Sequence, residues 1–258
     1  MILLLLKSTA SDASATITLI RSRAGYGQRL RVRQLTTKIE VARKMAPEAL
    51  TSERVYAGLR RAIVGGYYAP GTTLVAQAIA EEFGTSIAPV RDAIHRLVGE
   101  GLIEAHHGGG FQLPVLTEQD LRDLYVWHGQ VLRLAIKHRS SPSISIDMSS
   151  TLGALDPNDT RAITDATTEL FGRLAAGSRN RLHATAIATV ADKLYATRLR
   201  ESSIKDRVGE LQAVWIATVS GRESTIRDAI WAYHRRRLRR VPALIKSGGG
   251  AMAAQEFD

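Results

Sequence analysis

The sequence predicts a mainly α protein: an N-terminal winged helix-turn-helix followed by an all-helical bundle. Three observations carry this. Apolar residues recur at helical spacing through residues 51–98, broken by a Pro70-Gly71 turn, by Gly84 and by Gly99–Gly101. Two short apolar runs around a glycine-rich turn follow. Beyond residue 115 helical spacing returns and strand signals nearly vanish.

In chain order, Val55, Leu59, Ile63 and Val64 define a first helix of about three turns that ends at Gly65-Gly66. After YYAPGTTL, Ile79 and Phe83 mark a short second helix that stops at Gly84. Ser86 is an N-cap candidate for a third, with Pro89 tolerated in its first turn and Val90, Ile94, Leu97 and Val98 on its apolar face. Leu102-Ile103, then Phe111 and Leu113, read as two strands joined by His106-His107-Gly108-Gly109-Gly110.

Thr117 can cap the next helix, with Gln119 and Asp120 in its first turn and Leu121, Leu124, Val131 and Leu134 on its apolar face. Further helices are expected at 160–177, 179–200, 205–220 and 222–245. The helix at 179–200, with Leu182, Ala186, Ile187 and Val190, suits a core or a dimer seam. SSPSISIDMSS (140–150) reads as a loop, and the tail after Ser247 as disordered. The expected organisation is a flexible basic extension (1–50), the winged helix-turn-helix (51–115), a helical effector-binding and dimerisation domain (116–246) and a tail (247–258).

The 258 residues suffice for two modest domains. Cysteine is absent, which excludes disulfides, thiolate zinc sites and a cysteine nucleophile, and fits a cytoplasmic location. The apolar run in Met1–Leu6 is too short for a signal peptide or a membrane span, so no membrane partner is expected. The net charge of +10 is uneven. Residues 1–50 carry nine Lys/Arg against three acids (+6), residues 51–115 five against six (−1), and residues 116–258 twenty-one against sixteen (+5). The helix-turn-helix is therefore not basic overall, which argues against simple electrostatic binding by it alone. For residues 1–44, with spaced arginines (Arg21, Arg23, Arg29, Arg31, Arg33), three readings stand open: a start placed upstream of a true start at Met45, a solvated tail, and a basic arm that touches phosphate.

A short helix, a glycine turn and a second amphipathic helix let the latter enter a major groove while its apolar side stays docked. Its polar side carries Ser86, Arg91, His95 and Arg96. Arg91 suits a phosphate or a guanine edge, and Ser86 can donate to a phosphate near the helix N-terminus. The plainer alternative for Arg91 is a surface pair with Glu81 or Asp92. RRRLRR (235–240) is read as cations near a helix C-terminus, with Leu238 continuing the apolar face. Enzyme motifs are missing: there is no G-x-S-x-G, Walker loop, H-E-x-x-H or recognisable carboxylate pair. Gly108–Gly110 precedes a strand rather than a helix, unlike a phosphate loop.

The segments VYAGLRRAIVGGYYAPGTTL and AIAEEFGTSIAPVRDAIHRLVGEGLIEAHHGGGF together resemble the DNA-binding domain of the GntR family of bacterial regulators. The resemblance implies that Ser86, Arg91, His107 and Gly108 face DNA, with Gln77 near the backbone; His95, on the polar side of the third helix, and His106 of the wing are read as DNA-facing with them. Where the family usually has Arg and Thr, this chain has Ile87 and Ala88, and the wing has histidines in place of arginines. Weaker or more salt-sensitive binding follows.

LTEQDLRDLYVW and LQAVWIATVSGRESTIRDAIWAYH resemble the helical domain of the FadR-like branch, of FCD type, where an Asp and three His commonly hold a metal that receives an effector carboxylate. The aligned positions here are Thr168, Gly172, Leu211 and Tyr233, with His128 in place of the usual Arg; His234 lies one place from an expected ligand. The resemblance thus implies a less polar, metal-free pocket and no cofactor. The reading is a homodimeric, non-enzymatic repressor or activator that binds a double-stranded DNA operator under control of a small carboxylate effector. The alternative is a winged-helix protein that has lost DNA and serves as a protein-interaction module.

Overall fold

The computed structural model describes residues 50–106, 109–140 and 148–248. The N-terminal extension, Met45 included, His107 and Gly108 of the wing, most of the 140–150 segment and the last ten residues lie outside them.

Helix α1 (50–64) sends Val55, Leu59 and Ile63 into a core shared with Ile79 and Ala80 of α2 (Ala76–Glu82) and Val90, Ala93, Ile94 and Leu97 of α3 (Ile87–Gly99). A small antiparallel sheet closes this core with Leu74, Leu102, Ile103 and Leu113. The sheet has three strands rather than two: β1 (Thr73–Leu74), β2 (Glu104–Ala105) and β3 (Phe111–Gln112), in the order β1-β3-β2. Thr73 and Glu104 flank Gln112, and Leu74 and Ala105 flank Phe111. Leu102 and Ile103 precede β2 and serve as core residues, so the first expected strand lies two residues later than their hydrophobicity suggested.

Gly58 of α1 faces the ring of Phe83, which caps α2. A Cβ at this position would stand 2.5 Å from Phe83 Cε1. Gly58→Ala must therefore push the Phe83 ring off α1, and urea denaturation should show a loss of about 1–3 kcal/mol, the usual cost of overpacking. An unchanged midpoint would mean that the ring moves freely.

The remaining helices are α4 (Glu118–Lys137), α5 (Ser149–Gly153), α6 (Thr160–Ala176), α7 (Arg181–Arg198), α8 (Arg207–Ser220) and α9 (Glu223–Gly248), with a 3₁₀ turn at Glu201–Ser203. Helix α4 packs on α6, α7 and α9. One core layer unites Leu121 and Tyr125 with Val190, Leu194, Val241 and Leu244; a larger one joins α4, α6, α8 and α9 around Phe171. Helix α5 was not expected. Its Leu152 and the preceding Met148 are buried, so the end of the 140–150 segment is anchored in the core. Leu134 and Leu182, expected on apolar faces, are exposed at 45% and 71%.

The α4 cap is as expected. Thr117 Oγ1 accepts from the Asp120 N–H at 3.1 Å, and the Thr117 N–H donates back to Asp120 Oδ2 at 2.9 Å. Helix α9 runs through Pro242, which has no N–H for the carbonyl one turn earlier. That carbonyl, Leu238 O, accepts instead from Arg122 Nη1 of α4 at 3.2 Å. The lost helical bond is replaced by one between helices.

The winged helix meets the bundle at α7. Arg60 of α1 pairs with Asp192 and lies 3.4 Å from Glu100 Oε2, and the Glu100 carboxylate also accepts from the Tyr56 hydroxyl. Lys193 lies over Gly101, whose φ of +67° favours glycine. Among the described residues no helix is long and apolar enough to cross a membrane.

Candidate nucleic-acid interface and buried polar network

Helix α3 buries Pro89, Val90, Ala93, Ile94 and Leu97, which leaves Ile87, Ala88, Arg91, Asp92, His95 and Arg96 on its exposed side. Ser86 holds the N-cap position, yet its side chain makes no cap bond and the hydroxyl is exposed. Arg91 forms no ion pair with Glu81, Asp92 or any other described residue, so the plainer alternative for it is not what the structure has. Arg96 turns back instead: it bonds Glu53 at 2.7 Å and stacks 3.7 Å over the Tyr56 ring. His95 packs edge-on against Phe111 of the wing, which ties the helix to the sheet.

Gln77 is exposed on α2 and donates to Glu81 at 2.9 Å. His106 opens the wing turn, where its N–H reaches Gly110 O at 3.1 Å and Gly109 and Gly110 take positive φ. Of the six acids counted against DNA binding, Glu53 and Glu100 are spent on Arg96, Arg60 and Tyr56 at the α1 side. Each of these acids takes an arginine with it, so the segment's charge of −1 stands, with Arg54, Arg61 and Arg91 against Glu81, Glu82, Asp92 and Glu104.

In the bundle, the positions aligned to the family's metal ligands offer no donor set. Thr168 Oγ1 donates to Thr164 O at 3.0 Å, Leu211 is a buried aliphatic, and Gly172 has no side chain. Among the described residues no group of three His, Asp or Glu could share a metal ion. His234 is fully engaged. Its Nδ1 lies 2.6 Å from Ile230 O, which can only accept, and its Nε2 lies 2.8 Å from His128 Nδ1. Burial lowers the pKa of both rings, that of His234 to about 3, so both are neutral and the proton positions follow. His234 donates from Nδ1 and accepts at Nε2; His128 donates from Nδ1 and accepts at Nε2 from Arg198 Nη2 at 3.3 Å.

The surroundings of the two imidazoles are strongly polar. Around this chain of imidazoles lie three buried guanidinium groups, Arg198, Arg207 and Arg237, and two buried carboxylates, Glu201 and Glu210. Arg237 clasps Glu201 with two bonds of 3.1 and 3.0 Å and reaches Glu210 at 2.9 Å; Glu201 also accepts from Tyr125 at 2.7 Å. Arg207 lies 3.5 Å from Glu201 and bonds Arg198 O at 2.9 Å. Arg237 belongs to RRRLRR, so the reading of that run as cations near a helix end is corrected: α9 continues for eleven residues past Arg237, which pairs in the core. Tyr233 packs edge-on against Phe171 and lies under the Arg237 guanidinium, and its hydroxyl finds no partner.

Residues 51–113 match the family model for bacterial regulatory proteins of the gntR family. The matched segment is the winged helix, residues 51–113 of the 258. Over 82 residues, 32% of this chain, it is 30% identical to the HTH-type transcriptional regulator YdhC of Bacillus subtilis (strain 168) and 37% identical to the gluconate operon transcriptional repressor of the same organism. The match spans 37% and 33% of those two proteins, about a third of their length. Two solved structures share the fold more widely. A GntR regulator from Rhodococcus sp. RHA1 has a TM-score of 0.61 at 20% identity, over 74% of this chain and 97% of its own. E. coli McbR/YncC has 0.53 at 13% identity, over 75% and 97%.

The family match ends at residue 113, before the buried network begins; His128, Tyr233 and His234 were singled out from the sequence, but the buried charges of Arg198, Glu201, Arg207, Glu210 and Arg237 were not. One signal could have found Arg237: Ile226, Ile230, Tyr233, Arg237, Val241 and Leu244 recur at three- and four-residue steps, which places an arginine at a core position.

Proposed function

We propose that this chain is a transcriptional regulator that reads operator DNA with α3 of its GntR winged helix and answers to a small carboxylate bound in the helical bundle. One observation carries the DNA reading: the exposed, unpaired Arg91 at the second turn of α3, in a segment that matches a family of regulatory proteins. Ser86, with its hydroxyl free of a cap bond, supports a phosphate contact beside it, and Gln77, His95 and the wing residues His106, His107 and Gly108 flank the same surface. Gly172, Thr168, Leu211, Tyr233 and His128 surround the effector in this reading.

The working unit is a homodimer on a pseudo-palindromic site, in the cytoplasm. Val126, Trp127 and Leu134 support a second copy as partner, since they form an exposed apolar strip along one side of α4. Arg91→Ala should weaken operator binding about tenfold in a gel shift, within the usual range for one base or phosphate contact. Unchanged affinity would remove α3 as the reading helix. Retained capture of a protein partner together with absent DNA binding would favour an interaction module.

A further inference from the structure

Ile87 and Ala88 open α3 on its wet side. Ile87 is 37% exposed and Ala88 is exposed as well, whereas Pro89, Val90, Ala93, Ile94 and Leu97 of the same helix are buried. The core of the winged helix includes neither of the first two. Helix formation does not call for them either, since a β-branched residue such as Ile87 is a weaker helix former than most. Arg91 stands four residues after Ile87 and three after Ala88, so the three side chains share one side of α3. A lone exposed isoleucine means little on a protein surface. Here two apolar groups bracket an exposed guanidinium that has no ion pair among the described residues.

We infer that Ile87 and Ala88 are specificity-determining residues that read thymine C5-methyl groups in the major groove, at base pairs beside the one that Arg91 reaches. The inference rests on the operator reading above and names the bases it selects. Thymine alone places a methyl group in that groove; cytosine presents an amine there, and the purines present N7 with a carbonyl or an amine. An aliphatic side chain against a methyl removes two apolar surfaces from water. Over cytosine N4 or guanine O6 the same side chain strips a polar group of its hydration and returns no bond. Neither side chain has a donor or an acceptor, so any choice of base they make is of this apolar kind. Asp92, exposed four residues after Ala88, repels phosphate and so turns this side of α3 toward base edges rather than backbone. The winged helix, at a net charge of −1, also draws little from phosphate attraction, which leaves methyl contacts a larger share of the selectivity.

Deoxyuridine tests this, because it pairs as thymine does and lacks only the methyl. The full chain selects duplexes from a randomised pool, and each thymine of the selected sequence is then replaced in turn. At the contacted thymines of each half-site the replacement should weaken binding in a gel shift about fourfold, the worth of one buried methyl group. Ile87→Ser and Ala88→Ser alter exposed side chains and should fold, which circular dichroism checks. Each should bind the thymine and deoxyuridine duplexes alike at the position it reads. A duplex that is enriched yet insensitive to every replacement overturns the inference and leaves the operator reading intact, as does a methyl effect that both serine variants retain. Failure to enrich any duplex strikes the operator reading itself, and the inference with it.

Discussion

Glu201→Ala should cost about 3–5 kcal/mol of unfolding free energy, the range for removing one partner from a buried ion pair. The side chain is fully buried in the 3₁₀ turn between α7 and α8, where it accepts two bonds from Arg237 and one from Tyr125, with Arg207 3.5 Å away. Its removal leaves three buried guanidinium groups facing Glu210 alone. Urea denaturation followed by circular dichroism measures the loss, and Glu201→Gln should fall between, because the amide keeps the shape and one acceptor but not the charge. The pair is also expected to be replaceable: Glu201→Leu combined with Arg237→Met should recover most of the loss, since apolar side chains of similar volume avoid the desolvation of two ions. A loss below about 1 kcal/mol for Glu201→Ala would show that water enters the network and screens it.

Acid should destabilise the bundle well before ordinary carboxylates protonate. His128 and His234 are held neutral by burial, with pKa values below the ordinary 6.5, and His234 near 3. In the unfolded chain both titrate normally. From about pH 6.5 downward the unfolded state therefore binds more protons than the folded one, and stability falls as pH falls, by about 1.4 kcal/mol per unit for each histidine once below the unfolded pKa. For His234 the loss continues to about pH 3. Glu210 acts oppositely near the carboxylate range, because burial raises its pKa and the folded state takes its proton first. Denaturation midpoints at pH 7, 6 and 5 should drop steadily, and His234→Phe should roughly halve the slope. A flat profile would mean that the folded bundle accepts protons on these rings.

The legible parts of the fold were those set by local spacing. Helices α1 to α4 could be read because Val55, Leu59, Ile63, Val90, Ile94 and Leu97 repeat at helical intervals and Thr117 sits where a cap belongs. Strand β1 could not: two residues show no alternation, and Thr73 and Leu74 are strand only because Gln112 and Phe111 pair with them from nearly forty residues away. Arg91 was legible as an exposed residue, since the apolar stripe of α3 dictates which side is wet. The network was not. A charged residue carries no sign of burial by itself, and Arg237 goes inward because Glu201 and Glu210, on other elements, meet it. Pro242 was likewise compatible with helix only because Arg122 supplies a donor from α4.

The contact between Arg60 and Asp192 has a mechanical reading. Asp192 and Arg198 sit six residues apart on α7, about 9 Å along one stiff rod. A rigid helix cannot shift at one of these points and stay still at the other. A tilt of α7 at the Arg198 end would therefore be felt at once by α1 of the winged helix, with Lys193 over Gly101 as a second bearing surface. Slack in this linkage, introduced by Asp192→Ala, would let the winged helix swing without disturbing the bundle that carries it.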